Sequence, residues 1–333
     1  MFEEPGRFLL LPGFEITQLM PEGDRRDLHV NCVNLPDVLP SLANAPIIAR
    51  HGSASVDERL SENYAEYAAY VRAHGAAPSL FIVNHPVWPF LDVTAEDFLR
   101  HPEVRYFEIC NGGADFPAPD GLVDDGWYND RLWDAVNAVR ARDGQRLLFA
   151  IGSDDAHWYP GNGHDHPVRT ASTPGDAYVC VRTDELTPSA LFSAMDRGDF
   201  YASCGVDPDV VDFDGERLTV SVPARPGVAH RIRFIVTKRD FSERPVRVVR
   251  VTSPLDKYGR VREIPESDPR IGLSAKVVEG RKDERTSASY ALESDDLYVR
   301  ARIESDEPAF ISPCSHFHPK VRCAWTQPYA KTR

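Results

Sequence analysis

The sequence lacks an apolar run long enough to cross a membrane. No stretch approaches the roughly 18 consecutive apolar residues that a transmembrane helix needs. The opening segment Met1 to Pro5 contains two glutamates, whereas a signal peptide opens with basic residues. We therefore expect a soluble, cytoplasmic protein that has no membrane partner.

Cysteine pairs with metal-binding spacing are also missing. The six cysteines are scattered along 333 residues, and none of them forms a CxxC motif. A zinc ribbon and a small disulfide-bonded scaffold are therefore not indicated. We expect free thiols that are mostly buried.

Positive charge is scarce. The chain has 38 lysines and arginines against 51 aspartates and glutamates, which gives a formal net charge of −13. This balance disfavours binding to nucleic acid, and there is no stripe of interleaved basic and aromatic residues. The expected partner is a small-molecule substrate, and association with a second copy through an exposed sheet edge remains open.

Short apolar runs alternate with helical patterns over the first 153 residues. Residues 57 to 74 carry apolar side chains at helical spacing, Thr94 opens a capping box with Asp97, and Asn129 is a cap for a helix that ends at Gly144. Apolar runs that predict strands lie at residues 8–16, 27–35, 80–84, 106–109 and 147–151. This order predicts a parallel sheet or barrel.

The pattern changes in the last third of the chain. A helix is marked by Thr187 as cap, Pro188 in its first turn and Gly198 past its end. From about Val210 onward, apolar and polar residues alternate in several short runs, which is typical of an all-β module. The stretch 260–285 is rich in charge and predicts a long loop or hairpin. We place the domain boundary between residues 204 and 205.

Four of the apolar runs end in side chains that bind metal ions. Zinc and manganese take neutral imidazoles and ionised carboxylates, and chemistry in α/β barrels gathers where strands end. The expected metal ligands are Glu15, His29, His85, Asp155 and His157. Alternatives remain open, because a lone His before Pro is often a turn residue and Glu15 could be a hydrogen-bonded turn carboxylate.

Other polar residues lie beside these strand ends. Asp154, Asp155 and His157 are the residues that we expect to move protons during catalysis. The residues expected to contact substrate, on weaker grounds, are Glu108, Asn111, His164 and His166. An equally good interpretation of Asn111 is that its side chain satisfies local backbone groups.

The order of these motifs resembles a known family. The segments concerned are Pro12 to Thr17, His29-Val30-Asn31, Asn84-His85-Pro86, Phe107 to Gly112, Gly152 to His157, Gly198 to Ser203 and Ala324 to Pro328. In this order they are similar to the motifs of the PHP superfamily of metal-dependent hydrolases, in particular its CehA/McbA-like branch.

The resemblance implies a fold and a chemistry. The implied fold is α/β, a PHP-type distorted (β/α)7 barrel that apparently lacks its first strands, followed by an all-β sandwich-like domain. The implied cofactors are divalent manganese, zinc or iron ions. Glu15 would be a bridging carboxylate, His29 and His85 would bind one ion, and Asp155 and His157 would bind the neighbouring ions. The implied reaction is hydrolysis of a phosphoester or a carboxylic or carbamic ester by metal-activated water.

The chain departs from the family at its start. The family's first His-x-His strand and its Asp-His pair do not occur before Glu15. Either the chain is N-terminally shortened or it is a degenerate relative. We expect that Glu15, His29 and His85 can still hold one ion. The alternative function is a catalytically degenerate binding or assembly module.

Overall fold

The structure is a computed structural model that describes residues 3–18, 27–39, 48–49, 55–74, 78–86, 93–112, 128–156, 174–242, 246–252, 261–309 and 321–331. Within these residues the helices are α1 (Val56–Ala73), α2 (Ala95–Arg100), α3 (Tyr128–Arg142) and α4 (Pro188–Arg197). None of these helices combines the length and the apolar character that a membrane span requires.

The first sheet has six strands. They are β1 (Gly13–Gln18), β2 (Leu28–Val33), β3 (Ile48–Ala49), β4 (Leu80–Val83), β5 (Tyr106–Asn111) and β6 (Phe149–Ser153). Their order across the sheet is β3-β1-β2-β4-β5-β6. Strands β4, β5 and β6 run parallel, but β2 is antiparallel to both of its neighbours, β1 and β4.

The expected α/β fold, a distorted (β/α)7 barrel, is therefore wrong. The described part of the chain contains no such barrel, and the fold is mainly β. Four of the apolar runs overlap the buried strands β2, β4, β5 and β6, but the run 8–16 belongs to β1 only from Gly13 onward. An apolar run also carries no information on strand direction. The error arises at β2, which reverses direction between β1 and β4.

The remaining strands are β7 (Tyr178–Val181), β8 (Phe200–Ser203), β9 (Val210–Phe213), β10 (Arg217–Val222), β11 (His230–Lys238), β12 (Val246–Thr252), β13 (Val261–Ser267), β14 (Leu273–Glu279), β15 (Thr286–Ala291), β16 (Asp296–Pro308) and β17 (Val321–Thr326). A second six-stranded sheet has the order β14-β11-β16-β17-β8-β7. Strands β15, β10 and β9 form a three-stranded sheet, and β12 pairs with β13. The charged stretch 260–285 thus contains two strands, β13 and β14.

Hydrophobic clusters cover both faces of the first sheet. On one face, Leu60 of α1, Phe98 of α2 and Trp133 of α3 belong to the largest buried cluster. On the other face, Phe192 of α4 and Phe200 of β8 pack with side chains of β4, β5 and β6. A further cluster joins the three-stranded sheet to the second six-stranded sheet. The first sheet is therefore packed on both faces.

Several helix ends agree with the sequence patterns. Thr94 and Asp97 form the predicted capping box, and Thr187 caps α4, which ends at Gly198 with φ 82°. The predicted cap Asn129 is wrong, because it lies inside α3, where its side-chain Nδ2 donates to the Ile109 carbonyl at 2.9 Å. The cysteines within the described residues are free thiols, as expected.

Candidate metal centre

Three of the predicted ligands meet at one end of the strands of the first sheet, and this end is called the edge below. Glu15 lies on β1, His29 at the start of β2, and His85 two residues beyond the end of β4. One ligand atom from each side chain lies within 4.8 Å of the other two. Ligand atoms that share an ion at about 2.1 Å lie within about 4.2 Å of one another, so small side-chain rotations suffice to close the cluster on one ion.

Antiparallel pairing explains why these residues meet. Because β2 runs opposite to β4, the start of β2 lies beside the end of β4, and the Asn84 N–H donates to the His29 carbonyl at 3.0 Å. In the β1–β2 ladder Glu15 lies opposite Asn31 and Thr17 opposite His29, so Glu15 and His29 are diagonal neighbours on the same face. The strand direction that contradicts the barrel is thus the direction that assembles the cluster.

The cluster is partly protected from solvent. The side chain of His29 is 10% exposed and that of Glu15 is 36% exposed, while His85 is buried. The His29 Nδ1 and Glu15 Oε1 atoms are 2.8 Å apart. The imidazole rings of His29 and His85 meet edge to face, with centroids 4.8 Å apart and an interplanar angle of 66°. Two imidazoles and one carboxylate on a partly dehydrated rim are suitable ligands for zinc, manganese or iron.

The electrostatic surroundings favour an ionised Glu15. Burial alone would raise the pKa of this carboxyl group, but a hydrogen bond from His29, the nearby imidazoles of His29 and His85, and a hydrogen bond from Asn84 together lower it. The side chain is therefore a carboxylate near neutral pH, which is the form that binds a cation.

Glu108 lies beneath the cluster and holds part of it in place. Its Oε2 atom accepts hydrogen bonds from the His85 backbone N–H at 2.8 Å and from Asn111 Nδ2 at 2.7 Å. Complete burial raises the pKa of Glu108 to about 8, and the charge of Asp155 adds to this effect, although the hydrogen bonds oppose it. Glu108 thus binds both the side chain of Asn111 and the backbone of His85.

Two buried oxygen atoms beside the cluster have no hydrogen-bond partner within the described residues. They are Asn84 Oδ1 and Glu108 Oε1. A buried polar atom without a hydrogen-bond partner is costly, and a cation or its water would provide that partner. This observation fits a divalent ion at this edge. In the sequence Asn84 is only the neighbour of His85, and the pairing of β2 with β4 is what places it beside the cluster.

The other predicted site residues are placed only in part. Asp154 Oδ2 accepts a hydrogen bond from the Gly175 N–H at 2.7 Å. Asp155 has φ 47°, a left-handed conformation, so the extended geometry expected from Asp155 to His157 does not occur at Asp155. His157, His164 and His166 lie outside the described residues.

A second acidic cluster has a different explanation. The carboxylates of Glu293, Asp295 and Asp296 also lie close together. The ammonium group of Lys238 contacts all three, at 2.7, 3.1 and 2.8 Å respectively. Because an ammonium ion already fills this cluster, it is an ion-pair network that joins β11 to the start of β16. Glu15, His29 and His85 hence form the stronger candidate for a metal centre.

Comparison with protein-family models, with curated proteins and with solved structures found no match to this chain. The geometry of the site is therefore the basis for a functional proposal.

Proposed function

We propose that this protein is a metal-dependent hydrolase of a small-molecule ester or phosphoester. The observation that carries the proposal is the convergence of Glu15, His29 and His85 from separate strands on one partly buried point. The PHP-like order of the motifs supports the same reaction class. A divalent ion at this point would supply Lewis-acid chemistry, which lowers the pKa of water toward about 7 and polarises the bond to be cleaved.

Each residue of the centre has a separate task in this proposal. Glu15, already ionised, and the two imidazoles of His29 and His85 would hold the ion. Glu108 fixes His85 through its backbone N–H and keeps Asn111 directed toward the same edge. With its pKa raised to about 8, Glu108 can hold a proton beside the cluster.

The first test measures metal content and turnover together. Protein purified without chelator is expected to contain about one equivalent of zinc, manganese or iron, and to hydrolyse at least one aryl phosphate, aryl ester or aryl carbamate. Glu15→Gln and His85→Asn are expected to lose the metal and at least about 100-fold in turnover. Glu293→Gln is the matched control, because it removes a carboxylate from the cluster that Lys238 occupies.

The outcomes separate the two functions. Less than about 0.2 equivalents of metal with no turnover would contradict the hydrolase and favour the degenerate binding or assembly module. Bound metal without turnover on any of the three substrate classes would favour a metal-binding module. Equal loss in Glu293→Gln would show that the effect does not come from the centre described here.

A further inference from the structure

A cavity lies at the opposite end of the first sheet from the candidate metal centre. It has a volume of about 500 Å³ and is bounded by the starts of β4 and β5, by α1 and by the last turns of α4. Leu80, the first residue of β4, lines this cavity, whereas His85 lies beyond the other end of the strand. At about 3.3 Å per residue, roughly 16 Å separate the two sites along the chain. The volume lies in the range of small-molecule pockets.

Two arginines in this cavity converge on one carboxylate oxygen. Arg105 Nη1 lies 2.5 Å from Asp196 Oδ1, and Arg146 Nη2 contacts the same oxygen atom. The Arg105 side chain is only 9% exposed, and its guanidinium lies over the ring of Phe149, 4.6 Å from the centroid. Arg105 is therefore held in position, while Arg146, 60% exposed, is free to reach a ligand.

The charge in the cavity is not balanced. A third arginine, Arg197, is paired with Asp199 at 2.8 Å, and a second carboxylate of the lining, Glu103, lies 3.1 Å from His101 Nδ1. Asp196 is the carboxylate that contacts both Arg105 and Arg146. Burial, together with the charge of Arg146, lowers the pKa of Arg105. Because two guanidinium groups share this one carboxylate, they are only partly neutralised, although the chain as a whole is strongly acidic. Such a pair favours a further oxyanion.

Aromatic side chains form the rest of the wall. Tyr64 and Tyr67 of α1, Tyr106 of β5 and Phe192 of α4 line the cavity. The hydroxyl group of Tyr67 is engaged with Ser79 Oγ at 2.8 Å, which fixes this ring. Rings of this kind offer flat apolar surface to a planar group, and guanidinium groups at the same site bind its charge.

We propose that this cavity, the arginine pocket, binds a small aromatic anion, that is, a planar aromatic ring that carries a phosphate or carboxylate group. The anionic group binds Arg146 and Arg105, and the ring lies among the tyrosines. The bound anion competes with Asp196, whose side chain is 57% exposed and can turn away. This inference does not depend on the proposed hydrolase, because none of these residues belongs to the metal centre.

Phenylphosphonate is a suitable probe, because its carbon–phosphorus bond is not an ester bond. Titration calorimetry of the full-length protein is expected to show saturable binding. Arg146→Gln is expected to weaken it by about tenfold or more, the effect of losing one charge-assisted hydrogen bond. Arg72→Gln, an exposed arginine on α1 outside the pocket, is the matched control and is expected to bind normally. Glu15→Gln is also expected to bind normally, which separates this pocket from the metal centre.

Asp196→Asn provides a test with the opposite sign. Removal of the competing carboxylate is expected to tighten phenylphosphonate binding, a result that a purely structural role for Asp196 does not predict. Benzoate is expected to bind, benzyl alcohol is not, and methylphosphonate is expected to bind more weakly than phenylphosphonate. Absence of saturable binding to the wild type at millimolar concentrations, or equal weakening by Arg146→Gln and Arg72→Gln, would overturn the proposal. Equal affinity for methylphosphonate and phenylphosphonate would overturn the role of the ring.

Discussion

Asp134 of α3 and Arg300 of β16 form a completely buried, doubly hydrogen-bonded ion pair. Arg300 Nε donates to Asp134 Oδ1 at 2.8 Å, and Nη2 donates to Oδ2 at 2.6 Å. The guanidinium also stacks on Trp133, with 4.6 Å to the ring centroid, and contacts Asp130 at 2.8 Å. The carboxylates outweigh the burial of Arg300 and raise its pKa. This pair joins the helices on the first sheet to the second six-stranded sheet.

We predict that Asp134→Asn lowers the free energy of unfolding by about 3–5 kcal/mol, because it leaves the Arg300 charge buried without its main partner. The double variant Asp134→Leu with Arg300→Met is expected to lose much less than the sum of the two single changes. Chemical denaturation of the wild type, Asp134→Asn, Asp134→Leu, Arg300→Met and the double variant measures both effects. The exposed pair Arg231–Glu279 is the control, and Glu279→Gln is expected to change stability by less than about 1 kcal/mol. A small effect of Asp134→Asn would contradict the account.

This ion-pair network joins residues on both sides of the predicted domain boundary at residue 204. Strand β8, just before this boundary, pairs with β17 near the end of the chain. We predict that a fragment that ends at residue 204 does not fold, because it leaves Asp130 and Asp134 buried without Arg300 and Arg302. Circular dichroism and urea unfolding of the fragment check this expectation. A cooperative unfolding transition in the fragment would show that the boundary separates two independent domains.

Gly152 is the point at which β6 touches the second six-stranded sheet. A Cβ atom at this position would lie 2.6 Å from the Tyr178 carbonyl oxygen and 3.1 Å from that of Ser203. Both are backbone atoms, so neither can rotate away. We predict that Gly152→Ala destabilises the protein by about 3 kcal/mol or more, the upper end of the cost of overpacking. Gly227→Ala, at φ 74° with open space around it, is expected to cost only about 1–2 kcal/mol. Equal costs in thermal unfolding would remove the close-contact explanation.

Glu108 predicts a pH dependence of stability in the metal-free protein. In the folded state its pKa is about 8, against an ordinary value of 4.5, so between these values the folded state holds a proton that the unfolded state has lost. Stability from this group therefore falls as the pH rises from about 4.5 through about 8. Glu108→Gln removes the titration, so its stability relative to wild type is expected to increase with pH across this range. Urea unfolding at several pH values, with chelator present, measures the difference, and a constant difference would contradict the prediction.

The sequence predicted element types better than element directions. Local patterns were sufficient for the capping box at Thr94 and for the Thr187 and Gly198 ends of α4, because caps depend on side chains within a few residues. Strand direction depends on pairing between segments that are distant in the chain. The apolar run of β2 fits a parallel strand and an antiparallel strand equally well. Its antiparallel pairing with β4 shows that the expected barrel is wrong.

In the candidate site, too, the local residue pattern could be predicted and the long-range contacts could not. Glu15, His29 and His85 could be predicted as a group, because metal-binding residue types at the ends of apolar runs are recognisable in one dimension. The left-handed conformation of Asp155 and the hydrogen bond from the His85 backbone to Glu108 could not be predicted, because both depend on the packing of β5 against β6 and β4. The arginine pocket was also not visible, since Arg105, Arg146 and Asp196 are far apart in sequence.

Metal binding to the centre of Glu15, His29 and His85 predicts a change in stability that does not require turnover. An ion that binds only the folded state stabilises it by about 2.7 kcal/mol when its free concentration is 100 times the dissociation constant. We therefore expect the midpoint of thermal unfolding to rise with added zinc or manganese and to fall when chelator is added. His85→Asn is expected to abolish the response, whereas His74→Asn, at the exposed end of α1, is expected to preserve it. Differential scanning fluorimetry across a metal titration measures the shift. An identical response in wild type and His85→Asn would show that the ion binds elsewhere on the protein.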